Sequence, residues 1–239
     1  MLNIVKNRKI YYAISLLIIV PGVLALFLWG LPLGPDFSGG TLLEVKFSQD
    51  ISKNQIVEKA KASNIEISET SIQTTGERTF LIRTQPLIDE QASNLTAKLK
   101  DSDQDSTVLR KETIGPTIGR ELLQRSLIAL GLAAVLVVLY IAYSFRSVPK
   151  PASSWRFGIC AIIALIHDVL VLFGAFALLG YFFAVEIDAL FVTAALTVVG
   201  FSVHDTIVVF DRIRENLNKA SFDSFEKTVQ YSIMQTIGR

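Results

Sequence analysis

"GFSVHDTIVVFDRIREN", residues 200–216, is the stretch whose reading decides the architecture. It follows the apolar run Ala189–Val199 and stays apolar through Ile207–Phe210 before a burst of charge. His204 and Asp205 stand side by side in sequence hydrophobic enough for lipid. A charged side chain at bilayer depth costs roughly 2.5–3.5 kcal/mol even on lenient insertion scales. Either the assignment to membrane is wrong, or those groups have a task.

The rest of the chain supports a membrane setting. Its 239 residues are 51% hydrophobic and 19% charged, above the apolar share and below the charged share of an ordinary soluble domain. The net charge of +1 leaves no electrostatic footprint for nucleic acid. A single cysteine, Cys160, excludes an internal disulfide framework and a cysteine-based zinc site. Apolar runs at Ile10–Leu31, Ser126–Tyr143, Phe157–Phe183 and Ala189–Phe210 each approach the ~20 residues that a bilayer core requires. Lysine and arginine set the orientation. Lys6, Arg8 and Lys9 precede the first run, Arg146, Lys150 and Arg156 join the second and third, and Arg212, Arg214, Lys219 and Lys227 follow the fourth. The link at Glu186 and Asp188 carries no base, and Arg125 is the one dissenter. The N-terminus is therefore expected in the cytoplasm. The first run, interrupted by Pro21-Gly22 and without an A-x-A site, reads as an uncleaved anchor.

Between the first two runs lies a polar stretch, Gly34–Leu123, expected to form an outward-facing domain. Thr41–Phe47 alternates, with Leu43, Val45 and Phe47 on one face, as a strand does. Ser52 and Gln55 read as a capping box opening a helix to about Ser63. Strands are expected at Ile65–Thr74 and Arg78–Thr84, a helix from Pro86 to about Lys100, and a last strand at Ser106–Ile114. The order β-α-β-β-α-β is that of a ferredoxin-like unit. The fold class expected is an α-helical membrane bundle with this α+β domain inserted. Its divisions are residues 1–33 (N-terminus and first span), 34–123 (ectodomain) and 124–239 (spans two to four, a cytoplasmic linker and the start of a fifth span). Two glycine- and proline-rich links flank the domain: "LPLGPDFSGGT", with Asp36, Phe37, Gly39 and Gly40, and "ETIGPTIGREL", with Gly115, Pro116 and Gly119. They read either as plain exits from the membrane or as hinges that pass movement to the ectodomain.

Asp205 lies six residues before Asp211, about 9 Å inside the cytoplasmic edge, and His167-Asp168 lie roughly 17 Å beyond Arg156. Ala161, Ala164 and Ala175 flank Asp168, and Thr193, Thr197, Gly200 and His204 form a second stripe, so both pairs can face a bundle interior. In "VQYSIMQTIGR", Ser232, Gln235, Thr236 and Arg239 recur on one helical face. Arg239 is expected about 18 Å beyond Lys227, within reach of Asp205 or Asp168. Since a polar helix does not end at mid-bilayer, the chain reads as truncated. Three readings compete for these residues: helix-pinning hydrogen bonds, a metal path, or a proton relay. Adjacent His-Asp residues point roughly 100° apart, which argues against a metal. A buried acid whose proton affinity is raised by burial and lowered by a nearby arginine suits a relay.

"DFSGGT" (36–41), "GPTIGREL" (115–122), "HD" (167–168), "GFSVHDTIVVFDRIREN" (200–216) and "SIMQTIGR" (232–239) occur together in the order found in the SecF family. The chain thus resembles bacterial protein-export membrane subunits of the SecD/SecF type, relatives of the resistance-nodulation-division (RND) transporters. The resemblance covers essentially the whole sequence, and its specific part is residues 200–216. It implies a role beside SecD and the SecYEG translocon, using the proton-motive force to draw preproteins across the bacterial inner membrane after the SecA ATPase. It implies six spans and a periplasmic ferredoxin-like domain, with the family's membrane acid at Asp205 and its fifth-span arginine at Arg239. His167 and Asp168 match the family motif as well. No cofactor, metal site or enzymatic activity is implied; the partners are SecD, the translocon, preprotein, protons and lipid. The chain departs from the pattern in having His204 where many relatives have asparagine, and in stopping within the fifth span.

The runners-up are an RND-type small-molecule or ion exporter and a structural membrane scaffold. An exporter's ectodomain would carry an aromatic pocket, yet Phe47 and Phe80 are the only aromatics from Thr41 to Leu123. Soluble-enzyme readings have no nucleophile constellation, metal cluster or cofactor loop behind them.

Overall fold

The computed structural model describes residues 3–67, 69–101, 103–146, 152–219 and 222–237. It divides into two compact units, one of residues 33–126 and one of residues 1–32 with 127–239.

The smaller unit opens with a one-turn helix, α2 (Pro35–Ser38), after the chain leaves α1 (Arg8–Leu28). Strand β1 (Gly40–Lys46) follows, then α3 (Lys53–Lys61), β2 (Ile72–Gly76), β3 (Thr79–Thr84), α4 (Asp89–Lys100) and β4 (Thr107–Ile114). The sheet order is β2-β3-β1-β4 and every adjacent pair is antiparallel. Leu43 and Val45 of β1 and Phe47 just after it are buried, as the alternation predicts, beside Ile56 and Ala60 of α3, Ile82 of β3, and Leu95 and Leu99 of α4. Each large aliphatic buried this way contributes about 1.5–3 kcal/mol before chain entropy is charged against it.

The capping box forms as the sequence predicts: Gln55 N–H donates to Ser52 Oγ at 3.3 Å and Ser52 N–H donates to Gln55 Oε1 at 2.9 Å. Two elements differ from expectation. Strand pairing begins only at Ile72; Ile65 and Ile67 are buried, but their backbone joins no ladder, and a 3₁₀ turn at Glu69–Ser71 intervenes. Helix α4 starts three residues after Pro86, at Asp89, with the Gln91 side chain accepting from Ile88 N–H at 3.2 Å.

The larger unit is helical: α1, the part of α5 (Pro116–Ser144) from Leu127 onward, α6 (Ser154–Phe183), α7 (Ala189–Asn218) and α8 (Phe225–Ile237). Among the described residues, four helices (α1, α5, α6 and α7) are long and apolar enough to cross a membrane. Large apolar side chains point outward from them, with Phe27 86%, Leu190 76% and Leu17 75% exposed. Water does not tolerate so much exposed hydrocarbon on one bundle, and lipid does.

Pro21 does not break α1. Gly22, next to it, packs so closely on Gly174 of α6 that a Cβ on Gly22 would stand 2.9 Å from the Gly174 Cα. The ends of α5, α6 and α7 meet through Phe145, Phe157 and Phe210, whose rings lie 4.6–5.7 Å apart. Helix α7 continues through the charged residues 211–218, because Arg212–Glu215 at 2.6 Å, Arg214–Asp211 at 2.6 Å and Lys219–Glu215 at 2.6 Å lace its surface.

Candidate functional site

In the unit of residues 33–126 the two glycine-rich links meet. The second is not a loop: α5 begins at Pro116 itself, ten residues before the apolar run. Proline suits a first helical position, where its missing N–H costs nothing. Gly39 has φ 76° and ψ 154°, a region essentially reserved for glycine, and a Cβ there would lie 2.8 Å from the Pro116 Cα. One turn into α5, a Cβ on Gly119 would lie 2.8 Å from the Phe37 carbonyl oxygen and 2.9 Å from the Gly39 nitrogen. Gly40 approaches the Thr84 carbonyl just as closely, with 2.7 Å for its notional Cβ.

Phe37 is buried and anchors α2. Asp36 stands half-buried in the same turn. The Glu112 carboxylate hydrogen-bonded to Arg110 holds that guanidinium above its usual range, and the charges of Glu44 and Asp36 add to the same field. Gly115, by contrast, has open space around it. The joint is thus an interlock of backbone on backbone.

Sequence reasoning missed two buried polar groups that brace this unit. Thr41 Oγ1 accepts from Leu87 N–H at 2.9 Å and pairs with Thr113 Oγ1 at 2.9 Å. Asp103 gathers the turn after Phe47: Ser48 N–H and Oγ–H each donate to it at 2.5 Å, and Gln49 N–H at 3.2 Å. The Ser48 hydroxyl foremost, with these backbone donors, holds its carboxyl below the usual range against the opposing effect of burial. An aspartate among Ser, Asp and Gln residues carries no distinguishing sequence signal.

In the helical unit the two His-Asp pairs occupy different surroundings. His167 Nδ1 lies 2.8 Å from Asp168 Oδ1, and its Nε2 is hydrogen-bonded to the Ser15 hydroxyl of α1. The bond to Ser15 can run in either direction, since a hydroxyl both donates and accepts and the imidazole tautomer decides which. Ser15 was missed, although it is the one hydroxyl in the run Ala13–Val20.

His204 and Asp205 lie on an exposed face of α7, with Thr193, Thr197 and Gly200 along the same face. The face of α7 turned toward its neighbours is taken instead by Phe191, Ala195, Val199 and Val203. These helices alone therefore do not enclose His204 and Asp205. Of the alanine stripe near Asp168, Ala161 is buried, Ala164 half-buried and Ala175 exposed; Gly174 and Ala177 do the close packing. Thr197 Oγ1 donates to the Thr193 carbonyl at 2.8 Å, which satisfies that hydroxyl within its own helix. Arg239 lies outside the described residues.

Helix α8 presents the polar face expected of it, and Asn216, the last residue of the stretch quoted first, receives it. Buried Asn216 donates through Nδ2 to Ser232 Oγ at 2.9 Å and to Gln235 Oε1 at 3.1 Å. Ser232 and Thr228 are buried against α7 as well.

The family model "Protein export membrane protein SecD/SecF, C-terminal" matches residues 94–239. The chain belongs to the SecD/SecF family. Protein translocase subunit SecF of Anaerolinea thermophila is 42% identical over 240 residues, covering 100% of this chain and 77% of that protein. SecF of Thermobaculum terrenum is 42% identical over 253 residues, with 100% and 78% covered. SecF of Haemophilus influenzae is 32% identical over 237 residues, with 98% and 69% covered. Among solved structures, the crystal structure of SecDF, a translocon-associated membrane protein from Thermus thermophilus, superposes with a TM-score of 0.82 at 30% identity. That match covers 99% of this chain, which spans 31% of the SecDF chain. SecDF in its super-membrane-facing form matches over the same 99% with a TM-score of 0.64. As a SecD/SecF family member with four candidate spans, the chain is a multi-pass membrane protein.

Proposed function

We propose that this SecF-type chain is a proton-motive-force-driven accessory subunit of the Sec export machinery, promoting preprotein translocation with SecD and the SecYEG translocon. The observation that carries the proposal is Asp205: a carboxylate at membrane depth, on an exposed helix face, with no partner among the described residues. Hydrocarbon is no place for such a group, so that face fits protein from SecD or from the remaining spans, and the acid fits a proton path. Arg239 is the cation assigned to compete with the proton for Asp205. The Ser15–His167–Asp168 chain is a second proton-handling group, since the bond between His167 and Ser15 can run in either direction.

The unit of residues 33–126 is read as a ferredoxin-like periplasmic domain, supported by its β2-β3-β1-β4 order with antiparallel neighbours. The N-terminus is then cytoplasmic, in the inner membrane. Movement of the spans reaches the domain through α5, whose first turn carries the interlock of Gly39, Pro116 and Gly119. One charge crossing 100 mV supplies about 2.3 kcal/mol, enough to bias a conformational equilibrium more than tenfold.

The proposal is tested by replacing Asp205 in the full-length protein expressed with its partner. Asp205→Asn should assemble normally yet export preprotein as poorly as a strain lacking the subunit, and Asp205→Glu should keep part of the activity. Undiminished export with asparagine would reduce Asp205 to a helix-packing residue.

A further inference from the structure

An open cleft of about 820 Å³ lies between the N-terminal segment and α8. It has the volume of a pocket that encloses a small ligand. Its wall carries Lys6, Arg8, Lys9 and Lys227. The one acid in the lining, Glu226, is engaged by Arg8 at 3.3 Å, so an excess of positive charge remains. Phe222 and Tyr231, with ring centroids 4.9 Å apart, supply an aromatic wall, and Met234 extends it along the helix. The N-terminal segment is tied down across the opening by Val5 N–H donating to Gln230 Oε1 at 2.9 Å.

Neither the export reading nor the proton path uses these groups. Their positions have a meaning: Arg8 is the first residue of α1 and Lys227 lies in the first turn of α8, where a helix entering a bilayer would pass the headgroup zone. Bases at that level attract anionic headgroups, and aromatic rings prefer the same zone. We infer that this cleft is a binding site for an anionic phospholipid, its phosphate held by Lys6, Lys9 and Lys227 and its glycerol and upper acyl chains laid against Phe222, Tyr231 and Met234. Charge complementarity selects the headgroup, and the apolar wall beside it selects a lipid over a free anion. The inference requires that α1 and α8 enter a bilayer and is independent of proton coupling through Asp205.

The test is native mass spectrometry of the full-length protein in detergent, titrated with phosphatidylglycerol or phosphatidylcholine. The wild type should retain phosphatidylglycerol preferentially, and Lys6→Gln/Lys9→Gln/Lys227→Gln should weaken that retention at least about tenfold, as loss of three bases near an anionic group requires. Lys59→Gln/Lys98→Gln/Lys100→Gln, which removes equal charge from α3 and α4, should leave it unchanged. Equal loss in both variants would overturn the site in favour of diffuse attraction. Full displacement by glycerophosphoglycerol, which has the headgroup without acyl chains, would overturn the lipid assignment in favour of a phosphate-ester site. Tighter retention of an oligoglutamate peptide than of phosphatidylglycerol would make the cleft a seat for an acidic protein segment and would also overturn it. No gradient or preprotein enters this assay, so its failure leaves the export reading untouched.

Discussion

Single residues set the behaviour of the joint and of the turn behind it. Gly39→Ala puts a side chain into a glycine-only backbone region and against the Pro116 backbone. It should cost about 1–3 kcal/mol, seen as a lower thermal midpoint of the detergent-solubilised protein. Gly115→Ala, in open space, should be near neutral in the same measurement, and equal effects would refute the interlock. Asp103 gives a pH prediction. Its folded-state proton affinity is depressed, so the stability it contributes is present above its ordinary value of 3.8 and is lost as pH falls through the folded value. Thermal stability of the wild type should therefore fall on acidification below about pH 4 more steeply than that of Asp103→Asn, which begins lower. A parallel decline in the two proteins would remove Asp103 from the explanation. The contacts themselves were not legible from the residues alone. The motifs "SGG" and "GPTIG" pointed to a joint, but only the fold shows that Gly39 and Gly119 face one another's chain while Gly115 does not.

Elements were legible where local chemistry and tertiary packing agree. The alternation of Leu43, Val45 and Phe47 and the Ser52–Gln55 box each fix an element whatever surrounds it. Hydropathy marks the lipid-facing length of a helix and not its ends. Helix α5 reaches back to Pro116 through polar turns, and α7 runs on through its charged ones, because a helix does not end where lipid does. The expected start of the second strand failed: burial of Ile65 and Ile67 mimics a strand, yet Ile65 N–H donates to the Ala60 carbonyl at the end of α3 and neither residue joins the sheet. Two contacts between elements carry predictions. Gly22→Val should separate α1 from α6 and lower stability by about 1–3 kcal/mol, checked by thermal unfolding beside Gly131→Val, which has open space. Asn216→Ala removes the donor for Ser232 and Gln235 and should cost about 1–3 kcal/mol, with faster proteolysis after α7 as the visible sign. Unchanged proteolysis would mean that α8 is held by other contacts.

For the whole molecule, the apolar spans and the inserted α+β unit could be read from composition and periodicity. The membrane residues could be named but not placed. One stripe on α7 carries Thr193, Thr197, Gly200 and His204, and periodicity alone cannot say whether a small-residue stripe faces its own bundle or another protein. The structure separates the two His-Asp pairs, one tied to α1 through Ser15 and the other presented outward on α7. Proton coupling through Asp205 is the central claim, and it is tested most directly in inverted membrane vesicles holding the full-length protein and its partner. Late-stage preprotein translocation is compared for wild type and Asp205→Asn at matched protein levels, with and without a proton gradient. The expected result is that the variant loses the gradient-dependent share of translocation and keeps the rest. Equal stimulation of both proteins by the gradient would contradict proton coupling at Asp205.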